Sequence, residues 1–404
     1  MEKKLTKKVW RNRVLIGLFL LFFCSLFFFP AVLNRDPQIQ TKLLITAIGV
    51  DVTEDNKIEF SSIAVLPTTG EGAQVKSTTI TNVANSIAEC IEYVSEQFGK
   101  QAELGLCGLV VIGESMDKAN ILPHLEFLLS SAYISPGTYL IHARGSSAKE
   151  LLKFASSQNP STAEILSSVV EFNDKTARIT TRTLLEFLSE SHSLSASSTL
   201  PSVQINTQEK SNNGDSQNSG GDGDTKQSVV SSLNTAVLYD KGVVVGTLDD
   251  IQTLGFNLAT SEANKGLIAL DDLMVEGVNL GRIECWIYSS KNNIKSYFDN
   301  GVPIFSINID VTLQFQDQHK IIRVWQNNGK REEKIIEPII KAFEEKIANS
   351  VASAFNYAKQ VNADVFSVKT EFSRYHNKRY KEIEKNADIF QISIPKVNVK
   401  VAFK

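Results

Sequence analysis

The segment Ile304–Phe315, IFSINIDVTLQF, alternates without a break: Phe305, Ile307, Ile309, Val311, Leu313 and Phe315 fall on one side, and Ser306, Asn308, Asp310, Thr312 and Gln314 on the other. A period of two with one apolar and one polar face specifies a strand in a sheet that is covered on one side and wet on the other, the habit of antiparallel sheets. The cover is visible downstream. Ile336, Ile340, Phe343, Ile347, Val351, Phe355 and Ala358 recur at helical spacing, so a long amphipathic helix ending near Asn362 is expected to lie on the apolar side. Arg282–Ser289 and Asn293–Phe298 read as strands before the alternating segment. A helix around Ser373–Lys385 and an alternating strand at Lys396–Lys404 follow the long helix. This end of the chain is therefore α+β, an antiparallel sheet packed on long helices.

Working towards the amino terminus, Asn234–Tyr239 and Val243–Leu248 flank Asp240-Lys241-Gly242 as a hairpin, and a short helix opens at Asp249 or Asp250. Gln208–Lys226 contains no apolar residue and reads as the centre of a flexible polar linker over 205–230. Ahead of it, Leu43–Asp51 and Ile58–Leu66 form a second hairpin signal. A helical stripe follows at Val83, Ile87, Cys90, Ile91, Val94 and Phe98, with Thr81 or Asn82 as N-cap and Gly99 as stop. The buried strand Gly108–Gly113, a short helix near Pro123 and the strand Thr138–Ala143 continue the pattern. Ser147 with Glu150 makes a capping box that opens the helix Ala148–Ala155, and the amphipathic segments Thr162–Phe172 and Thr181–Leu188 end this part. Helix and strand alternating at this spacing predict a mixed or mostly parallel sheet. Two mixed α/β modules are thus expected, 37–200 and 231–404.

The 404 residues carry 42 Lys and Arg against 45 Asp and Glu. A formal net charge of −3 gives no bulk electrostatic reason to bind nucleic acid. The balance is uneven, because residues 1–13 hold Lys3, Lys4, Lys7, Lys8, Arg11 and Arg13 against Glu2 alone; that is +5, and the rest of the chain carries −8. Residues 14–33, VLIGLFLLFFCSLFFFPAVL, contain no charge and as a helix would span about 30 Å, the thickness of a hydrocarbon core. The basic segment 1–13 should stay cytoplasmic, which exports everything after Leu33. Three fates compete for the segment: an uncleaved transmembrane anchor, a cleaved signal peptide, or a lipoprotein signal ending at Cys24. The bulky Phe22 and Phe23 before Cys24, and the lack of paired small residues at Phe29-Pro30-Ala31, favour the anchor.

Catalytic signals are lacking. The five histidines fall in no metal-binding spacing, the four cysteines include no CxxC, and no GxSxG, phosphate-binding loop or dinucleotide fingerprint occurs. No catalytic, cofactor or metal residue is therefore assigned, and Cys24 is the one candidate for modification. Asp51, Asp55 and Glu59 lack the glycine and spacing of a calcium loop and read as a solvated turn. Cys90 and Cys107 leave a single disulfide open.

The order of segments carries more than any motif. LLITAIGVDVTED (43–55), GLVVIGE (108–114), TAVLYDKGVVVGTLDDIQTLGF (235–256) and ADVFSVKTEFSRYH (363–376) occur in sequence behind a membrane-targeting amino terminus. This resembles the Ger(x)C family, the C subunits of spore germinant receptors, over essentially the whole exported chain, most specifically at Thr235–Gly255. The resemblance implies a non-enzymatic receptor subunit without cofactors, on the outer face of the inner spore membrane beside integral membrane A and B subunits. Family members are usually lipoproteins, and Phe23 before Cys24 departs from that signal. Two other readings stand beside it: a solute-binding module that contacts the germinant directly, and an unrecognised cell-envelope hydrolase.

Overall fold

The computed structural model describes residues 16–19, 22–23, 42–66, 76–130, 134–158, 176–208, 227–261, 263–275, 278–316 and 333–404. The expected helix Thr162–Phe172, Cys24 and most of 14–33 lie outside them. Among the described residues no helix is long and apolar enough to cross a membrane.

A nine-stranded mixed sheet forms the first body. β1 (Lys42–Val52), β2 (Ile58–Leu66) and β3 (Lys76–Ala84) form an antiparallel meander. On the other edge of β1 lie the short parallel strand β4 (Gln101–Glu103) and then β5 (Leu109–Ile112). β6 (Tyr139–Ala143) and β7 (Ser197–Gln208) follow in parallel. β8 (Gln227–Asp240) and β9 (Val243–Leu248) close the order β3-β2-β1-β5-β6-β7-β8-β9 in antiparallel pairing. The helices α1 (Ile87–Phe98), α2 (Leu122–Ser130) and α4 (Leu184–Ser191) cover one face, and α3 (Ala148–Gln158) covers the other. Burial on both faces is why β5 reads LVVI, apolar at every position rather than at alternate ones.

Two expectations need correction here. Thr81 and Asn82 do not cap α1; they lie inside β3, opposite Ser61 and Phe60, and the N-cap is Ser86, whose hydroxyl accepts from Glu89 N. Pairing with β2 carries the strand three residues further than local propensity suggests. The linker also contracts, because β7 and β8 pair out to Gln208 opposite Gln227. Residues 205–208 and 227–230 are thus strand, and 209–226 lie outside the described residues.

The second sheet has the order β10 (Leu267–Leu270), β13 (Ile283–Asp299), β14 (Val302–Phe315) and β15 (Ile394–Phe403); β11 (Met274–Val275) and β12 (Val278–Asn279) form a separate small pair. Its apolar face packs on α5 (Asp250–Thr260) and the 28-residue α6 (Glu333–Gln360). The expected antiparallel sheet is in fact mixed, since β15 runs parallel to β14. The physical reason is α6, which carries the chain back along the sheet so that the next strand enters in the same direction as the last. The two strands read at 282–298 are one, bent by an irregularity between Ile287 and Ser289. The helix read at Ser373–Lys385 is instead two, α7 (Val368–Tyr375) and α8 (Asn377–Ile383), before the one-turn α9 (Ile389–Ile392).

The two bodies share β8. Its Val237 and Tyr239 face the core of the first sheet, whereas Ala236 and Leu238 face the core under α5 and α6. Polar contacts fasten the same junction. Ser195 Oγ donates to Asp364 Oδ2 at 2.7 Å, and Asp364 also accepts from Val368 N and Lys369 N, capping α7. Thr180 Oγ1 donates to Asn257 Oδ1, and Asn257 Nδ2 donates to Ala177 O. Gly255 lets α5 lie against α6: a Cβ there would sit 2.3 Å from the carbonyl carbon of Ser350.

Candidate functional site

In sheets with parallel strands, ligands bind beyond the carboxyl ends of those strands. Here β1, β5 and β6 end at Asp51, Gly113 and His142 to Arg144, and these ends carry a buried polar side chain on each face of the sheet, Asp51 on the α3 side and His142 on the other.

Asp51 is 2 % exposed. Its carboxylate accepts from Ser115 Oγ at 3.0 Å, Ala148 N at 3.1 Å and Lys149 N at 3.0 Å. It therefore occupies the positive end of α3, the place where a phosphate or substrate carboxylate sits in many α/β proteins. Burial raises its pKa against the lowering effect of these hydrogen bonds. The strand end admits it because residue 113 is glycine; a Cβ there would lie 1.8 Å from Asp51 Oδ1. The solvated-turn reading is thus corrected for Asp51, which is buried, and for Glu59, which pairs with Lys149 at 2.5 Å; Asp55 is exposed.

On the opposite face of the sheet, two strands over, His142 is buried between two elements. Nδ1 lies 2.8 Å from the Tyr239 hydroxyl, and Nε2 lies 3.4 Å from Asp117 Oδ1. Burial, helped by Arg144, lowers the His142 pKa to about 4, so the imidazole is neutral at neutral pH. The tautomer that serves both neighbours has Tyr239 donate to Nδ1 and Nε2–H face Asp117. Asp117 itself is pushed up to about 6, by burial first and by Glu114 second. Glu114 accepts from Gly145 N at 3.0 Å, tying β5's end to the loop after β6. Tyr239 comes from β8 and stacks edge-on against Phe187, 5.2 Å between centroids, so this group also ties the hairpin of the second module to α4.

Chemically both groups are closed. Both His142 nitrogens have neighbours, the buried Tyr239 hydroxyl is held well above its usual pKa, and the protein's own carboxylate fills the anion position. The three described cysteines are free and buried. Burial raises Cys90 to about 11 and Cys107 and Cys285 to about 12, so all three remain protonated thiols. Cys90 points its Sγ at Ile58 O and Asn82 O, and Cys107 at Leu109 O; the disulfide left open between them is not formed. Among the described residues no group of three or more His, Cys, Asp and Glu side chains could hold a metal ion. An open groove on the α5–α6 surface is lined by Ile251, Ala342, Glu345, Lys346, Asn349 and Ser353. Cys24 lies outside the described residues.

Sequence reasoning missed Asp51, Asp117, His142 and Tyr239. The available signals were a carboxylate closing an apolar strand (IGVD) and a histidine inside another (YLIHA), each an interruption that needs a partner when buried.

Two family models match the chain in order: the spore germination protein N-terminal domain over residues 36–205, and the spore germination B3/GerAC-like C-terminal domain over residues 234–404. Among solved structures the chain is similar to the crystal structure of the GerBC protein, with 14 % identity, a TM-score of 0.49, and coverage of 88 % of this chain and 96 % of that one. No curated protein matches the chain.

Proposed function

The chain belongs to the Ger(x)C family of spore germination proteins, and on that premise we propose that it is the membrane-anchored, non-enzymatic C subunit of a nutrient germinant receptor. The observation that carries the reading is the pair of family matches, which follow one another and leave only 206–233 between them. The strand ends are filled by the protein's own side chains, which favours a subunit that works through protein contacts over one that binds or converts a small molecule there. In this proposal residues 14–33 tether the protein to the outer face of the inner spore membrane, as an uncleaved anchor or through lipidation of Cys24. Integral membrane A and B subunits are its partners. Tethering confines the protein beside them, so that weak contacts are occupied through high effective concentration.

Deleting the gene is expected to abolish nutrient-triggered germination and to leave germination by a bypass agent intact. Affinity capture from spore membranes should bring down polytopic subunits. A deletion strain with a normal nutrient response and no redundant paralogue would overturn the proposal.

A further inference from the structure

The uncovered face of the second sheet is strongly and unequally charged. Lys291 and Lys295 on β13, Lys396 and Lys400 on β15, and Lys404 just past the end of β15 are all exposed. The register sets them as a grid. Lys291 and Lys400 both stand opposite Asp310 of β14, and Lys295 and Lys396 both stand opposite Ser306. With strands about 4.8 Å apart and a rise of about 3.3 Å per residue, the grid measures roughly 10 Å across and 13 Å along. Between its rows Asn293, Asn308 and Asn398 are aligned; Asn308 Nδ2 donates to Asn293 O and Asn398 Nδ2 to Asn308 Oδ1. At one end Trp286 and Tyr288 are 48 % and 49 % exposed, and Lys404 Nζ lies 3.6 Å from the centroid of the Tyr288 ring. Lys291, Lys295, Lys396 and Lys400 make no ion pair among the described residues. The acids of this face on β13 and β14 are Asp310, Glu284 and Asp299; Glu284 is engaged by Arg282, and Asp299 stands opposite Val302 at the end of the strands away from Trp286.

Lysines on edge strands also guard against strand pairing, but that task calls for neither the row of asparagines between them nor the half-exposed Trp286 and Tyr288 at their border. We infer that this face docks on a bilayer surface rich in anionic phospholipid. A flat grid of ammonium groups, with asparagine side chains between its rows and no cleft, matches a plane of mobile anions better than the fixed carboxylates of one peptide. The half-exposed Trp and Tyr at its border suit the membrane interface. The inference uses the membrane tether proposed above and adds an orientation to it.

The test uses the full chain reconstituted in vesicles of phosphatidylcholine alone, or with 30 mol % phosphatidylglycerol, brominated to the same extent. Quenching of Trp286 is taken as the difference between the parent and Trp286→Phe. Quenching is expected in the anionic vesicles, reversed by high salt, and absent in the neutral ones. Each Lys→Gln change among residues 291, 295, 396 and 400 should lower the docking equilibrium about fivefold, and the fourfold variant should lose quenching while still floating with the vesicles and keeping its circular dichroism spectrum. Equal quenching in both vesicle types, or none in either, would overturn the inference, as would an unchanged fourfold variant. So would a fourfold variant that loses its polytopic partners while the parent stays unquenched on anionic lipid, which would assign the face to an acidic protein. Failure of the tether is read separately, as failure to float with neutral vesicles.

Discussion

At the residue scale, two buried titratable groups give the fold opposite pH dependences. The His142 pKa falls from 6.5 to about 4 in the folded protein, so its contribution to stability is complete above pH 6.5 and is lost as pH falls through 4. The full swing is about 3 kcal/mol. Asp364 is the reverse: burial at the junction raises it from 3.8 to about 7 despite hydrogen bonds from Ser195, Val368 and Lys369. Its contribution is complete below pH 3.8 and is lost as pH rises through 7, a swing of about 4 kcal/mol. Chemical denaturation from pH 4 to pH 8 checks both. The stability of the parent relative to His142→Gln should change mainly below pH 6.5, whereas its stability relative to Asp364→Asn should fall between pH 4 and pH 7 and level off by pH 8. Neither role was legible locally, because what shifts these groups is burial by residues distant in the chain.

At the scale of elements, the long helix behaves much as its periodicity demands. Phe343, Ile347, Val351, Phe355 and Ala358 are all fully buried, although at its start Ile339 takes the core position while Ile336 and Ile340 are only partly buried. A period read in one dimension fixes the stripe and leaves its edges to the partner surface. Phe355 is the hub, with ring centroids 5.8 Å from Phe305, 5.1 Å from Phe366 and 5.7 Å from Phe390. Those rings come from β14, the turn after α6, and α9. Phe355→Ala is expected to cost about 3–5 kcal/mol, measured by urea denaturation, and to loosen β15 with it. Gly255→Ala is expected to destabilise as well, because its new Cβ meets the backbone of α6 at Ser350, which cannot move aside as a side chain would.

At the scale of the whole molecule, the two family matches and the two sheets do not divide the chain at the same place. The second match begins at residue 234, yet β8 and β9 complete the first sheet and bring Tyr239 to His142. A fragment ending at residue 205 therefore leaves the edge of β7 unpaired and His142 Nδ1 without the Tyr239 hydroxyl. It is expected to stay unfolded or aggregated, whereas the intact chain gives a cooperative transition; circular dichroism and limited proteolysis of the two would decide this. By itself the sequence determined the α+β class, most strands and helices, the hairpin at Val243–Leu248 and the family resemblance, because alternation, capping residues and segment order are local or serial properties. Only the tertiary structure decided that β15 is parallel, that the strands flanking 209–226 pair, that Asp51 fills the anion position of α3, and that the lysines of two separate strands share one face. Each of these depends on which strand lies beside which, and adjacency in a sheet is set by packing over distances that no local pattern encodes.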